Sequence, residues 1–217
     1  MQKYDNEKVN DDVIGLVFPI YMGDAPWYVK RFLLHLKGSA KYVFAVSTFN
    51  GSDNITPVNI DKALCKNGMK LSYYQNIVMP GNCIQSSKAE NEKRLINASS
   101  QIKSIIKDIE SQKTNYISDG KLPEKDYVES SYFYSKLNVM KSFRITSKCN
   151  GCGLCVKLCP TGNIEIVNGK AKHKSKKGCT ACYKCFHICP QNAVKLLMPV
   201  RSNHFQYIHP EIKVAEL

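Results

Sequence analysis

The chain has 217 residues, with 31 Lys or Arg against 18 Asp or Glu and a formal net charge of +13. That length allows two modest domains. Its longest clean apolar stretch, about Val13 to Tyr21, is too short to cross a bilayer, so no membrane span is expected.

Residues 1–111 alternate strand-like and helix-like patterns. Val13 to Phe18 is a continuous apolar run, of the kind buried on both faces of a parallel sheet, and Pro19 ends it. Ala25 to Leu36 follows at helical spacing. Lys41 to Thr48 reads as a second strand and Phe49 to Asn54 as its loop. Ile55 to Lys66 is helical, with Pro57 in its first turn. Lys70 to Met79 is a third strand, stopped by Pro80-Gly81. A long helix from about Lys88 to Ser111 places Leu95, Ile96, Ile102, Ile105, Ile106 and Ile109 on one face. Strand–helix repetition of this kind predicts an α/β unit with a parallel sheet and right-handed connections. Residues 112–140, polar early and aromatic later (Tyr132, Phe133, Tyr134), read as a helical linker. Trp27, Tyr73 and Tyr74 read as packing residues.

Residues 141–200 differ in kind. Cys149, Cys152, Cys155 and Cys159-Pro160 form one C-x2-C-x2-C-x3-C-P run. Cys179, Cys182, Cys185 and Cys189-Pro190 form a second. In this spacing three thiolates on a tight loop cap three irons of a 4Fe–4S cube, and the fourth cysteine ligates the other cube. Cys149, Cys152, Cys155 and Cys189 then hold one cluster, and Cys179, Cys182, Cys185 and Cys159 the second. Gly151 and Gly153 suit the backbone's close approach in the first loop. The second loop carries Thr180, Ala181, Tyr183 and Lys184 instead, so it is expected to be tight but bulkier. Zinc sites built from CxxC pairs leave the fourth cysteines and both prolines unexplained. A disulfide framework suits secreted chains, whereas MQKYDNEKVNDD is no secretory signal, so a cytoplasmic location is expected. Cys65 and Cys83, outside the runs, read as small buried hydrophobes or free thiols.

Between Met140 and Val200 there are eleven Lys or Arg and one acid, Glu165. Two oxidised cubanes with eight thiolates add roughly −4, so the loaded segment stays basic. That balance favours an acidic redox partner and a raised cluster potential. The run GKAKHKSKK (Gly169 to Lys177) reads as a solvated turn between the two motifs rather than a nucleic-acid site. His35, His173, His187, His204 and His209 show no pairing that suggests catalysis. Tyr183 and Phe186, between cluster ligands, are expected to shield the cubes from water.

The cysteine runs resemble those of bacterial-type ferredoxins. VFPIYMGDAPWYVKRFL (Val17 to Leu33), STFNGSDN, VMPGNC, FRITSKCNGCGLC and the tail HFQYIHPEIKVAEL together are similar to the EFR1-family ferredoxins, in which a flavodoxin-like domain is fused to a two-cluster ferredoxin. The resemblance covers nearly the whole chain. It implies a partial flavodoxin-like parallel sheet with helices, followed by a small α+β ferredoxin domain and a tail (201–217) packed on the body. It also implies FMN at a face made by Pro19, Tyr21, Met22, Gly23, Thr48, Phe49, Asn50 and Gly51; the alternative for these residues is ordinary loop chemistry at strand ends. Cys83 stands where the family has an aromatic residue. No Ser/Thr/Gly/Asn phosphate loop precedes Val13, so the front of the domain is expected to be missing and FMN binding to be weak or absent. An N-terminal truncation, a second chain completing the sheet, or a purely structural platform would each account for this. The expected function is electron transfer by two 4Fe–4S clusters, with an iron–sulfur flavoprotein oxidoreductase as the alternative.

Overall fold

The computed structural model describes residues 8–21, 23–51, 55–82, 86–123, 143–175, 178–196 and 205–214. Met22, Cys83, residues 52–54, 124–142 and 197–204, and the aromatic stretch Tyr132 to Tyr134 lie outside the described residues. The chain forms two compact units, one carrying the α/β elements and the other the cysteine runs.

The N-terminal unit centres on three parallel strands, β2 (Val13–Pro19), β4 (Tyr42–Phe49) and β5 (Tyr73–Val78), in the order β2-β4-β5. Their β-branched and aromatic residues fit a pleated, half-buried surface. Helices α1 (Trp27–His35) and α2 (Thr56–Cys65) cover one face, where Leu33, Ile60 and Leu64 are fully buried. Burying each such side chain contributes about 1.5–3 kcal/mol. Pro57 lies in the first turn of α2, where its missing N–H is not needed. Helix α3 (Lys88–Glu110) covers the other face, with Ala98 and Ile105 against Tyr42, Val46, Tyr73 and Ile77. The Ser87 hydroxyl caps it by accepting the Glu90 N–H at 3.2 Å. A separate pair of three-residue parallel strands, β1 (Lys8–Asn10) and β3 (Lys37–Ser39), has no counterpart in the sequence pattern.

Three expectations need correction. β2 is not buried on both faces. Among the described residues it is an edge strand that alternates inward and outward, and Val17 is 75% exposed. The isoleucines of α3 do not share a buried face: Ile96, Ile102 and Ile106 point outward, while Asn91, Ala98 and Ile105, seven residues apart, are buried. The expected helical linker has no helix over 113–123. That segment is stitched to β5 instead. Asn115 N–H and Tyr116 N–H donate to the Ser72 carbonyl, and Asn115 Oδ1 accepts from Tyr74 N–H at 2.8 Å. Trp27 is half-buried, edge-on to Tyr28 at 6.0 Å.

The C-terminal unit joins β6 (Phe143–Ile145) to β9 (Val194–Leu196), antiparallel, and folds β7 (Ile164–Val167) on β8 (Lys170–His173) as a hairpin. Two single-turn helices, α4 (Leu154–Lys157) and α5 (Lys184–His187), sit inside the cysteine runs. Among the described residues no helix is long and apolar enough to cross a membrane.

Candidate metal centres

The two cysteine runs fold alike. Each opens with a loop whose second and fourth positions after the first ligand have left-handed backbone: Gly151 (φ 72°) and Gly153 (φ 78°) in the first, Ala181 (φ 55°) and Tyr183 (φ 55°) in the second. Left-handed backbone turns the chain tightly enough for three cysteines to face one space, and α4 or α5 then carries the fourth away. In the first loop glycine is required twice over, because a Cβ on Gly151 would stand 2.3 Å from the Gly169 carbonyl oxygen in the β7–β8 turn.

The eight cysteines divide between two hollows. Cys149, Cys152, Cys155 and Cys189 line one, while Cys179, Cys182, Cys185 and Cys159 line the other. Each hollow therefore takes three cysteines from one run and the fourth from the other. Apolar side chains finish the walls: Ile145, Ile166, Ala171 and Val194 in the first, Ile164 with His173 in the second. A single face of the β7–β8 hairpin thus serves both, since Ile166 pairs with Ala171 and Ile164 with His173.

Backbone amides aim at the sulfurs. Cys149 Sγ accepts from Ala171 N–H at 3.3 Å and Cys179 Sγ from Ala181 N–H at 3.4 Å. Cys159 and Cys189 accept at 3.3 Å from the amides four residues on, Asn163 and Ala193. Such donors stabilise thiolates rather than thiols. The surroundings alone oppose ionisation: burial, then the neighbouring cysteines, push the Cys185 thiol up to about 12 and raise Cys155. Burial also raises the Cys179 thiol. Four thiolates at one site therefore need a bound cation, which takes the place of their protons. Among the described residues no three His, Cys, Asp or Glu side chains converge on the position of a single metal ion. An all-thiolate quartet is the donor set of a 4Fe–4S cube, which takes one thiolate on each iron.

Several supporting groups carry no sequence signal. Buried Asn163 accepts Ser175 N–H at 3.1 Å and donates to the Ser175 carbonyl at 2.8 Å, and Thr161 Oγ1 donates to the Gly178 carbonyl at 2.8 Å, so the segment between the runs is pinned to the second loop. Gln206 Nε2 donates to the carbonyls of Phe186 (2.8 Å) and Cys189 (2.7 Å), and Tyr207 N–H donates to His187 Nδ1 at 3.1 Å. Burial lowers the pKa of both His187 and His173. Tyr183 and Phe186 are buried with Ala181 and Val194 in a small core against Cys185 and Cys189. Lys170 to His173, expected in a solvated turn, form β8; Lys176 and Lys177 lie outside the described residues, as does His204. His35 and His209 are in neither hollow. Cys65 is half-buried, 3.5 Å from Ser118 Oγ.

The residues suggested for a flavin face lie at the C-terminal ends of β2 and β4. Pro19 is in register with Thr48, Ile20 N–H donates to the Thr48 carbonyl at 2.8 Å, and Tyr21 and Gly23 follow in a turn closed by the Tyr21–Asp24 bridge. Arg94 of α3 holds the Asn50 side chain and donates to the Met79 carbonyl at 3.2 Å. Below this loop lies a buried ion pair, Asp24 with Lys30, and Asn59 Nδ2 donates to Asp24 at 2.8 Å. Of the helices in this unit, α1 follows Pro26, α2 follows Ile55, and α3 follows Ser87, whose hydroxyl is already engaged with the Glu90 N–H.

Residues 141–190 match the family profile of a 4Fe-4S dicluster domain. One component of an ion-translocating oxidoreductase complex from Methanosarcina acetivorans is 46% identical over 48 residues, which are 22% of this chain and 18% of that protein. A ferredoxin-like protein in the nif region of Trichormus variabilis is 36% identical over 50 residues, 23% of this chain and 43% of that protein. A ferredoxin from Methanothermococcus thermolithotrophicus is 37% identical over 49 residues, 22% of this chain and 82% of that protein. The chain belongs to the ferredoxin family. Its ferredoxin domain, a 4Fe–4S electron-transfer module, is the part that matches, and the chain spans less than half the length of the first two of these relatives. No solved structure matches the chain.

Proposed function

We propose that this ferredoxin is a one-electron carrier holding two 4Fe–4S clusters, one on Cys149, Cys152, Cys155 and Cys189 and one on Cys179, Cys182, Cys185 and Cys159. The observation that carries the reading is the division of eight cysteines between two hollows, each completed by the fourth cysteine of the other run. When bound, the clusters supply one-electron chemistry. The chain supplies the rest. Amides of Ala171, Ala181, Asn163 and Ala193 take up charge on the sulfurs. Tyr183 and Phe186 keep water from the second hollow, and the surrounding lysines favour the reduced state and an acidic partner.

The layout that accompanies this reading is a flavodoxin-like unit over 1–111, a linker over 112–140, the ferredoxin domain over 141–200 and a tail over 201–217. The parallel order β2-β4-β5, with helices on both faces, supports the first part. The position of β2 at the edge of the described sheet suits a second chain that adds a strand there. A second reading, an iron–sulfur flavoprotein oxidoreductase, draws support from the meeting of the two loops at Ile20 and Thr48. No step is routed through flavin.

Anaerobic purification with iron, sulfide, zinc and flavin measured per chain tests both. The carrier reading expects about eight iron and eight sulfide. Zinc without sulfide refutes it. Stoichiometric flavin together with substrate-dependent turnover would favour the enzyme.

A further inference from the structure

The two cluster loops repeat each other in backbone but not in cover. The second is roofed by side chains, with Ala181 and Tyr183 buried at the two left-handed positions. The first has glycine at both, and nothing lies within 4 Å of where a Cβ on Gly153 would stand. The ligands follow suit: Cys152 is exposed, whereas the other seven are all partly covered. The first hollow is therefore the one that a partner reaches most closely, and electron transfer falls steeply with separation.

What surrounds this opening is specific. Gly151 packs on Gly169, which brings the tip of the β7–β8 hairpin against the loop, and Lys170 Nζ donates to the Ser147 carbonyl at 3.3 Å. Lys148 and Lys170 are both exposed here. On its cluster side the hairpin presents Ile166, 41% exposed and also lining the hollow, while its neighbour Val167 points to the opposite face. Glu165, opposite Lys172 in the hairpin, is the one acid on these strands. Among the described residues from 143 onward, nine Lys or Arg stand against Glu165 and Glu211. An exposed isoleucine beside two lysines and the least covered ligand has the form of a transient redox docking face.

We propose that electrons enter and leave through the first cluster, at a face formed by Cys152 and Ile166 and rimmed by Lys148 and Lys170. Its partner is an acidic one-electron redox protein with carboxylates around an apolar spot. This rests on the two-cluster reading above. One electron crosses per encounter, and no bond or proton changes hands.

The test uses the loaded chain, reduced anaerobically and mixed in stopped flow with either of two one-electron oxidants, anionic ferricyanide or cationic hexaammineruthenium(III). Each ferricyanide takes one electron to become ferrocyanide. K148E/K170E should slow ferricyanide about tenfold at low salt and speed the ruthenium complex, and both effects should fade as salt is added. K157E/K184E, the same charge change beside the single-turn helices, should alter either rate less than twofold. Equal effects of the two pairs, or a larger one at Lys157 and Lys184, would overturn the proposal. Both pairs are exposed, and K148Q/K170Q serves as the milder version with the same direction expected. Iron and sulfide counted in the parent chain decide the two-cluster reading separately, so a failure of either is distinguishable.

Discussion

Placing alanine at Gly151 should disable the first cluster loop far more than the same change two residues on. Left-handed backbone costs an L-residue about 1–2 kcal/mol, and both Gly151 and Gly153 carry it. At Gly153 that is the whole penalty, since a Cβ there meets nothing within 4 Å. At Gly151 the new methyl also drives into the Gly169 carbonyl, at 2.3 Å. A backbone atom cannot rotate away, so the hairpin must shift, at roughly 1–3 kcal/mol more. G151A should therefore total about 2–5 kcal/mol and G153A about 1–2 kcal/mol. In the second loop A181G relieves backbone strain but frees the unfolded chain and removes a buried methyl, leaving a net effect within about 1 kcal/mol. Loaded iron–sulfur proteins unfold irreversibly, so the readout is the anaerobic rate of loss of visible absorbance in guanidinium. The order G151A, then G153A, then A181G is expected, with G151A at least tenfold faster than A181G. If G151A bleached no faster than G153A, the close packing of loop on hairpin would be wrong.

Other outcomes follow from the same geometry. Lys30→Met strands the carboxylate of Asp24 in a site where both side chains are under 10% exposed, at about 3–5 kcal/mol. The urea midpoint by circular dichroism should fall accordingly, and D24N/K30M should recover part of the loss. Asp61 accepts Leu71 N–H at 2.9 Å and Ser118 Oγ–H at 2.6 Å. D61A, which leaves the Leu71 amide unpaired, should cost about 1–3 kcal/mol. Limited proteolysis of D61A should cut near 113–121 before the parallel sheet. Cys155, Cys179 and Cys185 hold their protons more firmly in the folded, metal-free chain than when unfolded. The stability they contribute to that form is present below about pH 8.5, the ordinary thiol range, and is lost as pH rises through their raised values. Cluster assembly expels those same protons. Reconstitution yield should then rise between about pH 6.5 and 8.5, while a flat yield would contradict the thiol protonation.

How much the chain disclosed in advance depended on what constrained it. The cysteine runs were legible because cluster chemistry dictates ligand number and spacing whatever the fold around them. β4 and α2 were legible because dense apolar patterning and Pro57 mark them. α3 misled because its isoleucines outnumber the places available against the sheet. Packing chose Asn91, Ala98 and Ile105, and a buried asparagine cannot be picked from hydropathy. β1 and β3, Lys-Val-Asn and Lys-Gly-Ser, are too short and polar to show a period. β2 reads as buried on both faces because all its residues but Gly15 are apolar, although the expected loss of the strands before it already implied an uncovered edge there. At the candidate site, Asn163 and Gln206 were missed because they act on backbone carbonyls and amides, a role that any loop residue can fill.

The two runs lie 30 residues apart, and each gives up its fourth cysteine to the hollow of the other. Neither half is a finished container. A chain carrying one such run could enclose the same two spaces only by exchanging that cysteine with a copy of itself, as in a swapped dimer. Joining the halves in one polypeptide turns an encounter between molecules into a local fold, with the hairpin supplying a wall to each space. It also binds the fates of the two spaces together. Cys159 and Cys189 are each the last member of one run and the closing member of the other set, so losing either should disturb both. Filling of this domain should therefore approach all-or-none, with half-loaded chains scarce at every stage of assembly.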